Sequence, residues 1–255
     1  KAAGQTEVRY RYVGGMVGYG SENLAFDDCN VSKVRIAAYE CSGGIAGMIA
    51  SGKTFTANGV KVSNIQVDGA YSGGILGQSG EDSSTVVSIS NASVSNSVFK
   101  TKQCYWTNHP DGRHTYSGGI IGDAKGTINM ANILVSRNSY EDEDKSNTGQ
   151  LCQGQLFGDV ASGDIKGIYV AGVSVRLNAG QTSNDVPGMM HYRTDAQAGD
   201  VNKKTYIAFA DYSGVLKEVD GSELYNDDDA TQAVDSAYPY VTTNPNSGPS
   251  VKVGD

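Results

Sequence analysis

The sequence predicts an all-β protein, specifically a parallel β-helix (β-solenoid) of about five coils with an irregular C-terminal cap. Three observations carry this. A short glycine motif recurs five times, β-branched residues alternate with Ser, Asn and Lys between the copies, and no stretch has apolar residues at helical spacing between a cap and a closing glycine.

The motif reads YVGGMVG from Tyr12, CSGGIAG from Cys41, YSGGILG from Tyr71, YSGGIIG from Tyr116 and CQGQLFG from Cys152. Its glycines are Gly14 and Gly15, Gly43 and Gly44, Gly73 and Gly74, Gly118 and Gly119, and Gly154. The first glycines are separated by 29, 30, 45 and 36 residues, so the unit is about thirty residues long. A unit this small cannot bury its apolar face alone; copies must stack coil on coil, with strands about 4.8 Å apart along the axis. Alternation along Tyr-Ser-Gly-Gly-Ile is expected to put Tyr71, Gly73, Ile75 and Gly77 on one face. The segments NVSKVRI, NGVKVSNIQV, STVVSISNASVSNSVF, INMANILVS and IKGIYVAGVSV supply half-buried strands.

The GGMVG, GGIAG, GGILG and GGIIG cores resemble the GLUG-type repeats of bacterial surface proteins, over roughly residues 12 to 177. The fifth copy, GQLFG, departs from that pattern. The resemblance implies a β-solenoid stalk or adhesive region of a larger secreted or wall-anchored protein, hence an extracellular, cell-surface location. An alternative from another class is a carbohydrate-active β-helix enzyme, a polysaccharide lyase or glycosidase. That chemistry needs convergent carboxylates or a basic group on the strands, whereas the acidic residues gather in turns. No G-x-S-x-G elbow and no phosphate-binding loop is present, so no catalytic residue is assigned.

Composition narrows the partners. A net charge of −8 and a pI near 4.9 leave no basic stripe for nucleic acid, and no run approaches the roughly eighteen apolar residues of a membrane span. The 33 glycines are about twice the average share, yet 5 prolines and 19% charged residues argue against a disordered chain. Four cysteines lack C-x-x-C spacing. Cys41 and Cys152 fall at matching repeat positions about 14 Å apart by strand spacing, too far for a disulfide; Cys29 and Cys104 could pair only if the insertion folds back over the first coils, and four thiols are the preferred expectation.

Residues 1–177 form the repeat region, 178–225 read as a capping segment, and 226–255 as an acidic, then Pro/Ser/Asn/Thr-rich tail or linker to a following domain. The long third step places an insertion at about residues 100–115, KTKQCYWTNHPDGRHTY. It contains Tyr105, Trp106, His109, Asp111, Arg113 and His114, a set suited to stacking on a sugar ring and bonding its hydroxyls, so a host or microbial glycan or a surface protein is the expected partner. The bland alternative is that Trp106 pins a long loop to the solenoid flank.

No cofactor is required by any motif, and calcium is the one candidate. Asp123 and Asp159 follow the glycine motif in successive repeats, so stacking would put two carboxylates about 5 Å apart. Calcium would relieve the repulsion, as would solvent exposure, which is the preferred expectation. The other acidic clusters, Asp27 with Asp28, the run 141–144 and Asp227 to Asp229, lack EF-hand spacing and read as solvated loops.

Overall fold

The computed structural model describes residues 10–101, 115–142, 151–162, 168–175, 190–192, 206–210 and 216–220. Among these there is no helix, and hence none long and apolar enough to cross a membrane. The chain is a parallel β-solenoid with three sheets running along its axis, each receiving strands from successive coils.

The first sheet holds the opening residues of every glycine motif: Tyr12–Gly14, Cys41–Gly43, Tyr71–Gly73, Thr115–Gly118 and Leu151–Gly154. They stack in register, so Tyr12, Cys41, Tyr71, Tyr116 and Cys152 form one column. The second sheet takes the motif's closing residues: Val17–Gly20, Ala46–Ile49, Leu76–Ser79, Ile121–Lys125, Phe157–Ser162 and Met190–Tyr192. The third is built from the β-branched segments, with Leu24–Asp27, Thr54–Asn58, Val86–Ser95, Thr127–Asp142, Ile168–Val175 and Tyr206–Ala210 along its main path.

The glycine motif is therefore two strands joined by a sharp corner. Ile45, Ile75 and Ile120 sit in the main core, whereas Tyr71 and Tyr116 belong to a separate small cluster with Cys41 and Met48. The sequence expectation that Tyr71 and Ile75 share a face is thus corrected: the corner after Gly73 breaks the alternation. Close approach explains the glycines. A Cβ on Gly74 would stand 2.0 Å from the Gly119 carbonyl oxygen of the next coil, and one on Gly77 would lie 2.4 Å from the Gly47 oxygen of the previous one. No side chain fits between backbones held that near.

In the third sheet the alternating apolar residues point inward and stack in columns: Val62 beside Val94 beside Val135, and Val67 beside Phe99 beside Tyr140. Phe99 and Tyr140 stack with centroids 5.4 Å apart. Each fully buried Phe, Ile or Val here contributes roughly 1.5–3 kcal/mol of transfer free energy.

Two corners bend this sheet, and both use the left-handed backbone region. Asp28, Gly59, Asn91 and Asn132 occupy one corner column with φ between 50 and 67°, and Lys33, Asn64, Asn96 and Arg137 occupy the other with φ of 50–58°. Asn, Asp and Gly tolerate this conformation best, which accounts for the asparagines punctuating the strands. The first column is also laced by side-chain amides: Asn91 Nδ2 donates to Asn58 Oδ1 and Asn132 Nδ2 to Asn91 Oδ1, both at 2.9 Å.

Ion pairs link neighbouring strands of the third sheet. Asp68 is the strand partner of Lys100, and Lys100 of Glu141. Arg35 Nη2 lies 2.6 Å from Asp68 Oδ2, and Lys100 Nζ 2.9 Å from Glu141 Oε2.

Within the segment read as a cap, Tyr206–Ala210 adds a parallel strand to the third sheet, and Leu216–Asp220 then pairs with it antiparallel, ending the parallel run. The tail at 226–255 lies outside the described residues.

Gly74→Ala is expected to cost about 3 kcal/mol, because the new methyl meets backbone and the Val94 side chain with nowhere to go. Gly52→Ala, at φ 74° with only Ser84 Oγ near, is expected to cost about 1–2 kcal/mol from backbone strain alone. Urea unfolding at constant m-value measures both; equal costs would contradict the close-approach account.

Candidate functional site

Because the motif bends back on itself, the columns of its two strands face each other. Seven residues after each column member of the first sheet comes one of the second: Tyr19, Met48, Gln78, Asp123 and Asp159, which are register partners in turn. Facing contacts join the two columns. Tyr12 stacks on Tyr19, Cys41 and Met48 pack with Tyr71 and Tyr116, and the Cys41 thiol donates to Gln78 Oε1 at 3.4 Å. The result is a narrow secondary core along one side of the solenoid, aromatic at the first coil and acidic toward the fifth.

At the acidic end Asp123 and Asp159 are strand partners, as stacking of the repeats requires. Both carboxylates are buried, with residue exposures of 1% and 0%, so the expectation that solvent relieves their repulsion is corrected. The glycine beside each residue lets the opposing strand close over it and excludes water. Protein groups compensate Asp123 instead: Gln78 Nε2 donates to its Oδ2 at 2.8 Å, and Lys125 Nζ stands 3.1 Å from the same oxygen. Lys125 and Gln78 were missed by reading motif residues one by one. The signal that finds them is columnar alignment of all five copies, which puts Gln78 in the Asp123 column and Lys125 two residues on. Among the described residues no group of three or more His, Cys, Asp or Glu stands close enough to hold a metal ion. Calcium at Asp123 would compete with the Lys125 ammonium.

The insertion residues Tyr105, Trp106, His109, Asp111, Arg113 and His114 lie outside the described residues, as do Glu143, Asp144 and Asp227 to Asp229. The topology does fix where the insertion leaves the solenoid. It falls between Val98–Thr101 of the third sheet's outer path and Thr115–Gly118 of the first sheet. In the two preceding coils the same corner is made by Ala38, Tyr39 and Glu40, and by Ala70 alone. Cys29 and Cys41 are thiols rather than disulfide partners, Cys41 fully buried in the secondary core, and Cys104 lies outside the described residues.

Ionisation is perturbed at the aromatic end. The Tyr12 phenol is pushed up to about 12, first by burial and then by the Glu40 carboxylate. Arg11, which ion-pairs with Glu40, is held above its ordinary value chiefly by that hydrogen bond. Burial also pushes up Tyr140, whose hydroxyl donates to the Gln155 carbonyl at 3.2 Å.

Compared with protein-family models, with curated proteins and with solved structures, the chain matches none.

Two outcomes follow from this geometry. Lys125→Met should destabilise the fold by about 3 kcal/mol near neutral pH, by leaving a buried carboxylate without its cation. Adding Asp123→Asn should recover most of that loss, and a double-mutant cycle by urea unfolding measures the coupling. For Tyr12, the folded state favours the neutral phenol, so its contribution is complete below the unfolded value of about 10 and is lost as pH rises through about 12. The melting temperature should fall across that window, and Tyr12→Phe should flatten the fall.

Proposed function

We propose that this chain is an extracellular binding or structural module, an adhesin or stalk domain of a larger bacterial surface protein, that holds a glycan- or protein-contacting loop away from a cell. The observation that carries the reading is the stacking of five glycine motifs in continuous register, which makes a stiff scaffold from about thirty residues per coil. Such a scaffold spends its sequence on self-packing and offers loops at its corners for recognition. The likeness of the GGMVG, GGIAG, GGILG and GGIIG cores to GLUG-type repeats supports the same reading and its surface location.

Recognition is assigned to the insertion. It enlarges a corner that the two preceding coils close with three residues or one, and its sequence contains Tyr105, Trp106, His109, Asp111, Arg113 and His114. Aromatic rings stack on the apolar faces of sugars, while His, Asp and Arg bond hydroxyls. In this reading the chain binds and does not catalyse.

A glycan array probed with the intact chain and with Trp106→Ala, with and without calcium, tests the proposal. Binding by the parent that is lost in the variant is expected; binding that survives the substitution would remove the insertion from the site, and no binding by either would leave a stalk alone.

A further inference from the structure

The corner after strand Thr54–Asn58 carries a pair of residues that the binding reading leaves unused. Asn58 and Gly59 form the single Asn-Gly step in the chain. In such a step the glycine amide nitrogen, unshielded by a side chain, can close on the asparagine side-chain carbonyl carbon. The N–Cγ bond forms, the Cγ–NH2 bond breaks, and ammonia leaves with the proton from the glycine amide. Water then opens the five-membered imide to aspartate or isoaspartate. The reaction consumes only water, and it requires a backbone free to bring the two atoms together.

The fold withholds that freedom through one neighbour. Gly59 N donates to the Ser90 carbonyl at 3.1 Å, so the attacking nitrogen is tied into the ladder between coils. Asn58 Oδ1 accepts from Ser90 Oγ and from Asn91 Nδ2, both at 2.9 Å, which fixes the side-chain amide towards the third coil. Ala57 and Val60, on either side of the pair, are fully buried and anchor the chain in the core. All three hydrogen bonds end on Ser90 and Asn91, and Ser90 is the strand partner of Asn58. Ring closure therefore requires the second and third coils to part at this corner.

We infer that Asn58 is a self-modifying site gated by that junction, intact while the two coils are stacked and deamidated once they separate. The change runs one way. Isoaspartate carries the main chain through its side-chain carbon and lengthens it by one methylene. The left-handed corner at Gly59, with φ of 67°, and the pairing of Thr54–Asn58 with Val86–Ser95 then no longer coincide. A junction open long enough to react is kept from closing in register, and the solenoid stores a chemical record of the separation. The site needs neither the insertion nor a ligand.

Peptide mapping by mass spectrometry tests this on the intact chain, aged in neutral buffer and aged in urea at the same pH and temperature. Conversion at Asn58 is expected to be roughly a hundred-fold slower in the folded chain, because reaction waits on a rare opening. Combining Ser90→Ala with Asn91→Gly removes both side-chain bonds while Gly keeps the left-handed corner. That variant, shown folded by circular dichroism, should age roughly ten-fold faster than the parent. Material aged in urea, refolded and separated by its added negative charge should melt below the parent. A folded chain that ages as fast as the unfolded one, a folded double variant that ages no faster than the parent, or a deamidated chain that melts with the parent overturns the inference.

Discussion

Everything in this fold depends on how near two peptide backbones can come when nothing stands between them. At the glycine motif the chain turns back on itself, and carbonyl oxygens of neighbouring coils fill the space that Cβ atoms would claim. That contact fixes the angle between the first two sheets, and with it the direction in which each coil hands the chain to the third. The main core of stacked Ile, Val and Phe supplies most of the favourable burial, and its columns align because the corner recurs in register from coil to coil.

A second consequence of the tight corner is the secondary core on the other side of the motif. Two columns facing across a narrow gap must be filled coil by coil, and each coil fills it differently: paired tyrosines, then Cys41 and Met48, then Tyr71 and Gln78, then Tyr116 and Asp123. The repeat therefore conserves its backbone while its side chains change character along the axis. Chemical variety is concentrated in this strip and at the corners.

The parallel solenoid and its coil length were legible because glycine spacing and period-two alternation are direct imprints of backbone geometry. Less legible was the bend inside Tyr-Ser-Gly-Gly-Ile: alternation assumes a straight strand, and nothing local in Gly73 or Gly74 distinguishes a flat strand from a corner. The burial of Asp123 and Asp159 was hidden for a related reason. A carboxylate after a glycine motif reads as a turn residue until the opposing strand is known to close over it, and its compensating partners, Gln78 and Lys125, come from a neighbouring coil and from two residues on. The asparagines at 64, 91, 96 and 132 were visible as strand polarity, but their service as left-handed corners appears only when coils are superposed.

The direction of the hydrogen bonds gives the molecule a mechanical anisotropy. Strands lie across the axis, so the bonds between coils point along it, in series. Tension applied between the two ends loads every coil junction equally, so the weakest gives way first, whereas a sideways pull on a single strand must shear a whole row of bonds together. A rod of this construction yields to stretching by peeling coil after coil, in steps set by its repeat, and resists being bent or sheared across its sheets.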